Sequence, residues 1–318
     1  MLGVLESVRR TRGFTQTDLA AASGVSQATI SLIETEQQDA PQNVRDALAH
    51  ALRVPSGLLE ASAPAVQIRH LPKGSVRRSA IRRVTSEFAL AFVHVGLLAG
   101  NVRLDVAHRA LDDDLASARA MGLRRKWVVS PGPVDDVIGI VEAHGIICLD
   151  RDLGGLRSVA IAATSDDGRA LMFIDPRADA DTAGWAVAHE LGHLALHESS
   201  EAADEASADE FAGEFLAPRS ELRALLEAGT DIDGVIQKYR MTPPDFASHA
   251  RSVITVAAYR RLRTIPSMDS SRLPGSRRLA EAVHQRIRAS GESIDDVASS
   301  AFLSTRALTS DYLDHSQS

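Results

Sequence analysis

The chain has 318 residues, with 42 Asp and Glu against 35 Lys and Arg, a net charge of −7 and one cysteine, Cys148. That length predicts two or three domains with a real core, and the acidic balance argues against a protein that binds polyanions over its whole surface. A single cysteine excludes an intramolecular disulfide, so any metal site has to be built from histidine and carboxylate side chains. Glu6, Arg9 and Arg10 interrupt the first apolar residues, so no signal peptide is expected there. The longest apolar run, residues 88–100, contains His94 and is too short to span a bilayer, so a cytoplasmic location without membrane contact is expected.

Leu2, Leu5 and Val8 form a helical stripe that Gly13 ends. Thr15 reads as the N-cap of a helix over residues 16–23, Gly24 breaks it, and Ser26 caps a second helix over residues 27–34. Two short helices joined by a glycine-containing turn are a helix-turn-helix, with Leu19, Ala20, Val25, Ile30 and Ile33 facing inward. Gln27, Thr29 and Ser31 are short polar side chains of the kind that reach base edges or phosphates from a major-groove helix. A helix over residues 42–52 and a turn over residues 56–59 complete a five-helix domain, assigned to residues 1–62. Across Phe14, Thr15, Gln16, Leu19, Ala20, Gly24, Val25, Ser26 and Ile30 to Glu34 the sequence resembles the XRE/Cro-repressor family. The resemblance implies DNA binding, with Gln27, Thr29 and Ser31 on the recognition helix and Gln16 as a backbone contact.

From Gln67 the chain turns basic, with Arg69, His70, Lys73, Arg77, Arg78, Arg82 and Arg83 preceding the first acid, Glu87. The preceding domain has a slight acidic excess, so this run is a candidate for the missing phosphate contacts, or else a solvated helix face. An amphipathic helix over residues 81–98 and a second helical stretch over residues 105–121, with Asp112, Asp113 and Asp114 outward, make residues 63–128 a helical connector. A homodimer contact of the kind two-fold operators require also fits here.

Pro131, Gly132 and Pro133 punctuate a new start. A helix over residues 134–144 and a strand over 146–149 precede two apolar runs, 159–163 and 170–174, whose Asp167-Gly168 turn predicts a β-hairpin. Then comes His189-Glu190-Leu191-Gly192-His193, in a helix starting near Asp181. Histidines at i and i+4 share one helix face and reach one metal ion, and the intervening glutamate suits a base acting on water there. The helix is otherwise apolar nearly all round, and burying two histidines and a glutamate without partners would be costly. A third ligand belongs after His193, among His197, Glu198, Glu201, Asp204 and Glu205, with His197 too far along the same helix to close a tetrahedron. On the next helix, residues 205–216, Glu205 and Asp209 share a face beside the small residues Ala208, Ala212 and Gly213. One carboxylate there would bind metal and the other would accept a hydrogen bond from a ligand imidazole. Glu214 reads as a solvated or capping carboxylate.

Residues 188–197, with the HExxH set, and 208–218, with Asp209, Phe211, Glu214, Phe215 and Pro218, resemble the ImmA/IrrE family of metallopeptidases. The resemblance implies Zn2+ held by His189, His193 and Glu205, with Glu190 as the base and Asp209 in support. The implied reaction is peptide hydrolysis in a partner protein such as a transcriptional repressor or antitoxin, in a stress or mobile-element response. The hairpin strand ending at Ile174 is a candidate for docking substrate by strand addition, and Tyr239, His249 and His197 are candidate oxyanion partners. Residues 129–265 form this domain. Residues 266–318 begin with a linker-like stretch and end in a small helical unit, read as a cap or dimer element. The expected fold is therefore mainly α with a small β-sheet (α+β), and the expected protein a DNA-binding zinc metalloendopeptidase. The alternative is a regulator whose protease-like domain senses a metal or ligand, or acts as an antitoxin-type binding module, without proteolysis.

Overall fold

The computed structural model describes residues 3–70, 76–99, 115–153, 156, 158–196, 205–265 and 278–313. Among the described residues 64% are helical and one four-stranded mixed sheet is present, as the mainly α reading with a small β-sheet anticipates. Helices α1 (Val4–Thr11), α2 (Gln16–Ser23), α3 (Gln27–Glu34) and α4 (Gln42–Leu52), with a 3-10 turn at Ser56–Glu60, form the N-terminal head. Its entry signals are those in the sequence. Thr15 accepts the Asp18 amide in a reciprocal capping box, Ser26 accepts the Thr29 amide, and Gly24 leaves α2 at φ 72°, a left-handed backbone that glycine adopts without strain. Leu5, Val8, Leu19, Ile30, Leu48 and Leu52 fill the core of the head.

Strand β1 (Val66–Ile68) and helix α5 (Arg78–Ala99) follow. Then come α6 (Ala116–Lys126), α7 (Val137–Ala143), β2 (Ile146–Asp150), β3 (Ala160–Ser165) and β4 (Ala170–Ile174). The strand order is β1-β3-β4-β2, antiparallel between β1 and β3 and between β3 and β4, and parallel between β4 and β2. Every residue of β3 and β4 is buried, because both faces of the sheet are covered, which is why these strands read as continuous apolar runs. Alternate side chains divide between two cores. Ile146, Cys148, Ala162 and Met172 face the layer of α6, α7, α8 (Ala180–Leu196) and α9 (Glu205–Leu216). Ile147, Leu149, Ile161, Leu171 and Phe173 face α5 and the C-terminal helices.

Helices α10 (Arg219–Glu227), α11 (Ile232–Tyr239), α12 (Pro243–His249) and α13 (Val256–Leu262) form a satellite core around Leu222, Val235 and Phe246. Helices α14 (Arg278–Ser290), α15 (Ile294–Ser300) and α16 (Thr305–Leu308) cap the outer face of the sheet through Leu279, Val283, Val297 and Leu308. Tyr312 reaches across to His94 of α5, with 2.6 Å between its hydroxyl and Nδ1.

Two expectations change. The stretch read as a basic connector begins as a sheet strand, with Arg69 and His70 only 5% and 9% exposed, so neither side chain is available to a phosphate backbone. Only Arg77, Arg78 and Arg82 of that run are exposed among the described residues. Helix α5 is buried along most of its length, with Phe88 and Phe92 against the sheet and Val93 in the core of the head. The acidic run 112–114 and the linker-like stretch 266–275 lie outside the described residues, as does Lys73. No helix among the described residues is long and apolar enough to cross a membrane.

Candidate metal centre

Helices α8 and α9 pack more extensively than any other pair of elements in the described fold, and glycine sets their separation. A Cβ on Gly192 would stand 3.2 Å from the Cα and carbonyl oxygen of Ala208, so the pair Gly192/Ala208 allows near backbone contact. That approach brings the start of α9 over the histidine face of α8. His189 and His193 present their Nε2 atoms 3.1 Å apart. The Glu205 carboxylate lies 3.7 Å from each of them. Ligands about 2.0–2.2 Å from a tetrahedral zinc ion stand about 3.3–3.6 Å from one another. Two imidazole nitrogens and a carboxylate converging at 3.1–3.7 Å therefore fit a metal ion of that class.

Asp209, one turn beyond Glu205, places Oδ1 2.8 Å from His189 Nδ1. With Nδ1–H donating to Asp209, the His189 Nε2 lone pair points into the centre. Burial opposes the charged form of His189, but the hydrogen bond to Asp209, with Glu190 and Glu205 close by, carries its pKa above the ordinary value. Glu190 is 3% exposed and accepts the Ala162 amide of β3 at 2.9 Å. Burial pushes its carboxyl up to about 8, opposed by His189 and by the Ala162 amide.

A further histidine joins the cluster. His70, directly beyond β1, sets Nδ1 3.0 Å from Glu205 Oε1 and stacks its ring on His193, with 4.5 Å between centroids and 11° between planes. His70, His193 and Glu205 each offer a donor atom within 4.8 Å of the others. In the sequence His70 stands among basic residues. Its proximity to the centre follows from the pairing of β1 with β3, for which the Val66-Gln67-Ile68 alternation is the single local sign.

The other candidates fall elsewhere. His249 donates from Nε2 to the Ala217 carbonyl at 2.7 Å, and its ring is packed against Gly213, where a Cβ would stand 2.1 Å from Nδ1. Tyr239 donates its hydroxyl to Glu221 at 2.8 Å. Both side chains are committed to the satellite core and its junction with α9, so neither is placed as an oxyanion partner. His197, Glu198, Glu201 and Asp204 lie outside the described residues. Glu214 is buried, not solvated. It pairs with the Arg219 guanidinium at 2.9 Å and accepts the Arg219 amide at the start of α10. Strand β4 is interior to the sheet, between β3 and β2, so it has no edge on which a substrate strand can be added. A cavity of about 780 Å³ opens between Trp127, His144 and Arg278 and includes none of the metal-centre residues.

In the head, Glu34 accepts Arg9 Nε at 2.5 Å and Nη2 at 2.8 Å, and Gln16 Nε2 at 2.8 Å. Gln27 then donates to Gln16 Oε1 at 2.8 Å. Thr29 shares a 2.8 Å hydrogen bond with Ser26, Ser31 is half-buried, and Gln27 is exposed at the start of the second helix of the motif.

Comparison with known families matches two segments of the chain. Residues 5–59 match a helix-turn-helix domain and residues 141–262 match the IrrE N-terminal-like domain of the peptidase M78 family. The chain joins an XRE-type helix-turn-helix domain to an IrrE-like peptidase domain. No curated protein and no solved structure matches it. The IrrE-like match contains His189, Glu190, His193, Glu205 and Asp209 and leaves out His70. The domain is of a metallopeptidase-like type, and His189, His193 and Glu205 lie within it.

Proposed function

We propose that this protein is a DNA-binding regulatory metallopeptidase that hydrolyses a peptide bond in a partner protein such as a repressor or antitoxin, in a stress or mobile-element response. The convergence of His189 Nε2, His193 Nε2 and the Glu205 carboxylate at 3.1–3.7 Å beside Glu190 carries the reading. His189, His193 and Glu205 hold Zn2+ in this proposal, and the ion supplies Lewis-acid polarisation of the scissile carbonyl when bound. Glu190 takes the proton of the attacking water on its carboxylate and passes it to the leaving nitrogen. Asp209 holds the His189 ring in the tautomer that keeps Nε2 available. The buried helix α8 fixes the spacing of both histidines and keeps bulk water from their far side.

The N-terminal head directs the protein to DNA, with Gln27, Thr29 and Ser31 toward base edges or phosphates and Gln16 toward the backbone. Gln27→Ala is expected to weaken binding to a sequence selected from random DNA by about 1–3 kcal/mol. The decisive experiment for the peptidase is Glu190→Gln in cells that co-express the protein encoded beside this one. The variant is expected to retain zinc and to leave the partner uncut, and undiminished cleavage would overturn the assignment of Glu190. The second reading, a metal or ligand sensor without proteolysis, draws on the near-complete burial of Glu190. Footprints that persist in Glu190→Gln and respond to metal would favour it.

A further inference from the structure

An extended peptide can bind a protein by adding a strand to an exposed sheet edge, where main-chain hydrogen bonds give affinity. The side of β3 away from β4, beside Glu190, is covered by the chain's own β1, which forms the edge of the sheet. Val66, Gln67 and Ile68 pair with Ser165, Thr164 and Ala163, and the Arg69 amide continues the ladder to the Ala162 carbonyl at 3.0 Å. Ala162 is the residue whose amide donates to Glu190. The self-pairing therefore runs up to the proposed base, and the next residue along, His70, lies on the donor cluster with Nδ1 3.0 Å from Glu205 and its ring on His193.

Catalytic zinc sites use three protein ligands and keep one position open, whereas four protein ligands make a closed site. We propose that His70 is a fourth ligand of the metal centre, and that β1 with Arg69 and His70 closes the centre against substrate until the segment is displaced. The proposal rests on the metallopeptidase reading above. His70 lies outside residues 141–262, so the closure is supplied by the segment leading from the head and not by the peptidase domain. The same segment is anchored on its other side by Leu58, Ala61 and Ala63 in the core of the head. The strand that covers the centre is thus continuous with the head.

The test uses the full chain with cobalt in place of zinc and reads visible absorption. In the wild type the bands are expected to be unmoved by millimolar acetohydroxamate, a small chelator that needs an open position. His70→Ala and His70→Phe are expected to admit it with new bands, and to bind zinc about tenfold or more weakly in competition with a chromophoric chelator. Phe keeps a ring on His193 without a donor nitrogen, so it decides the matter if the Ala variant does not fold. Identical spectra, hydroxamate response and zinc affinity in the wild type and His70→Phe overturn the closure. His193→Ala separates the two readings. Cobalt uptake that depends on His193, with a spectrum independent of His70, removes the closure and leaves the centre. A chain that takes up no cobalt removes both.

Discussion

Asp209 Oδ1 stands 2.8 Å from His189 Nδ1 across the interface of α8 and α9. Side chains in that relation to a ligand histidine fix its orientation and raise its basicity, and their loss typically costs 10–100-fold in metal affinity. Asp209→Ala is expected to weaken zinc binding by about that factor with unchanged far-UV circular dichroism, while Asp209→Asn, which still accepts from Nδ1–H, loses less. Equal affinity in all three proteins would reduce the contact to a surface ion pair.

Gly192 lies where α8 and α9 nearly touch, and its added Cβ would meet the backbone of Ala208, which cannot swing away as a side chain tip can. Gly192→Ala is expected to cost about 1–3 kcal/mol. It should also weaken zinc binding, because separating the helices moves Glu205 from the histidines. Chelator competition and urea unfolding on the same variant measure the two effects.

Arg9 and Glu34 are 6% and 5% exposed and tie the first helix of the head to the third. Removing one partner of a buried pair strands the other charge, at about 3–5 kcal/mol. Arg9→Ala is therefore expected to destabilise the protein by that order in chemical denaturation. The double variant Arg9→Met, Glu34→Leu should recover much of the loss. Equal destabilisation in single and double variants would show that packing, not charge, dominates.

Burial lowers the pKa of His94 to about 4, with Arg151 adding to the effect and Asp311 opposing it, and burial likewise lowers His249 to about 4. Histidine in the unfolded chain titrates near its ordinary value of 6.5. The unfolded state therefore binds protons first as pH falls. The stability tied to these two neutral rings is fully present above pH 6.5 and is lost progressively down to about pH 4. The denaturant midpoint should fall across that interval, and His94→Gln should flatten the fall by about half. An unchanged slope would assign the acid sensitivity to other groups.

Much of this molecule is legible in its sequence where the determining signals are local. Thr15, Ser26 and Gly24 mark the helix boundaries of the head by side-chain caps and one left-handed turn, all within four residues of the helices they bound. The HExxH spacing puts two imidazoles on one face of α8, and the periodicity of α9 puts Glu205 and Asp209 on another. Strand β1 is different. Three residues carry almost no pattern of their own, and they become a strand through hydrogen bonds to β3, about a hundred positions away in the sequence. His70 inherits its place from that pairing, so in the sequence it is indistinguishable from the arginines around it. The burial of α5 on both sides was hidden for a related reason. Its apolar residues serve two separate cores, so they show no single clean stripe.

That double service binds the fates of the head and the peptidase core. Val93, with Leu90 and Leu97 beside it, belongs to the hydrophobic interior of the head, while Phe88, Phe92 and Val95 of the same helix belong to the interior under the sheet. Phe302 adds a second tie, its ring reaching Gly57 of the head from the C-terminal cap. A helix common to two interiors cannot melt from one and persist in the other. The head should thus show no separate thermal transition, and a protease that nicks the chain elsewhere should not release it as an independently folded fragment.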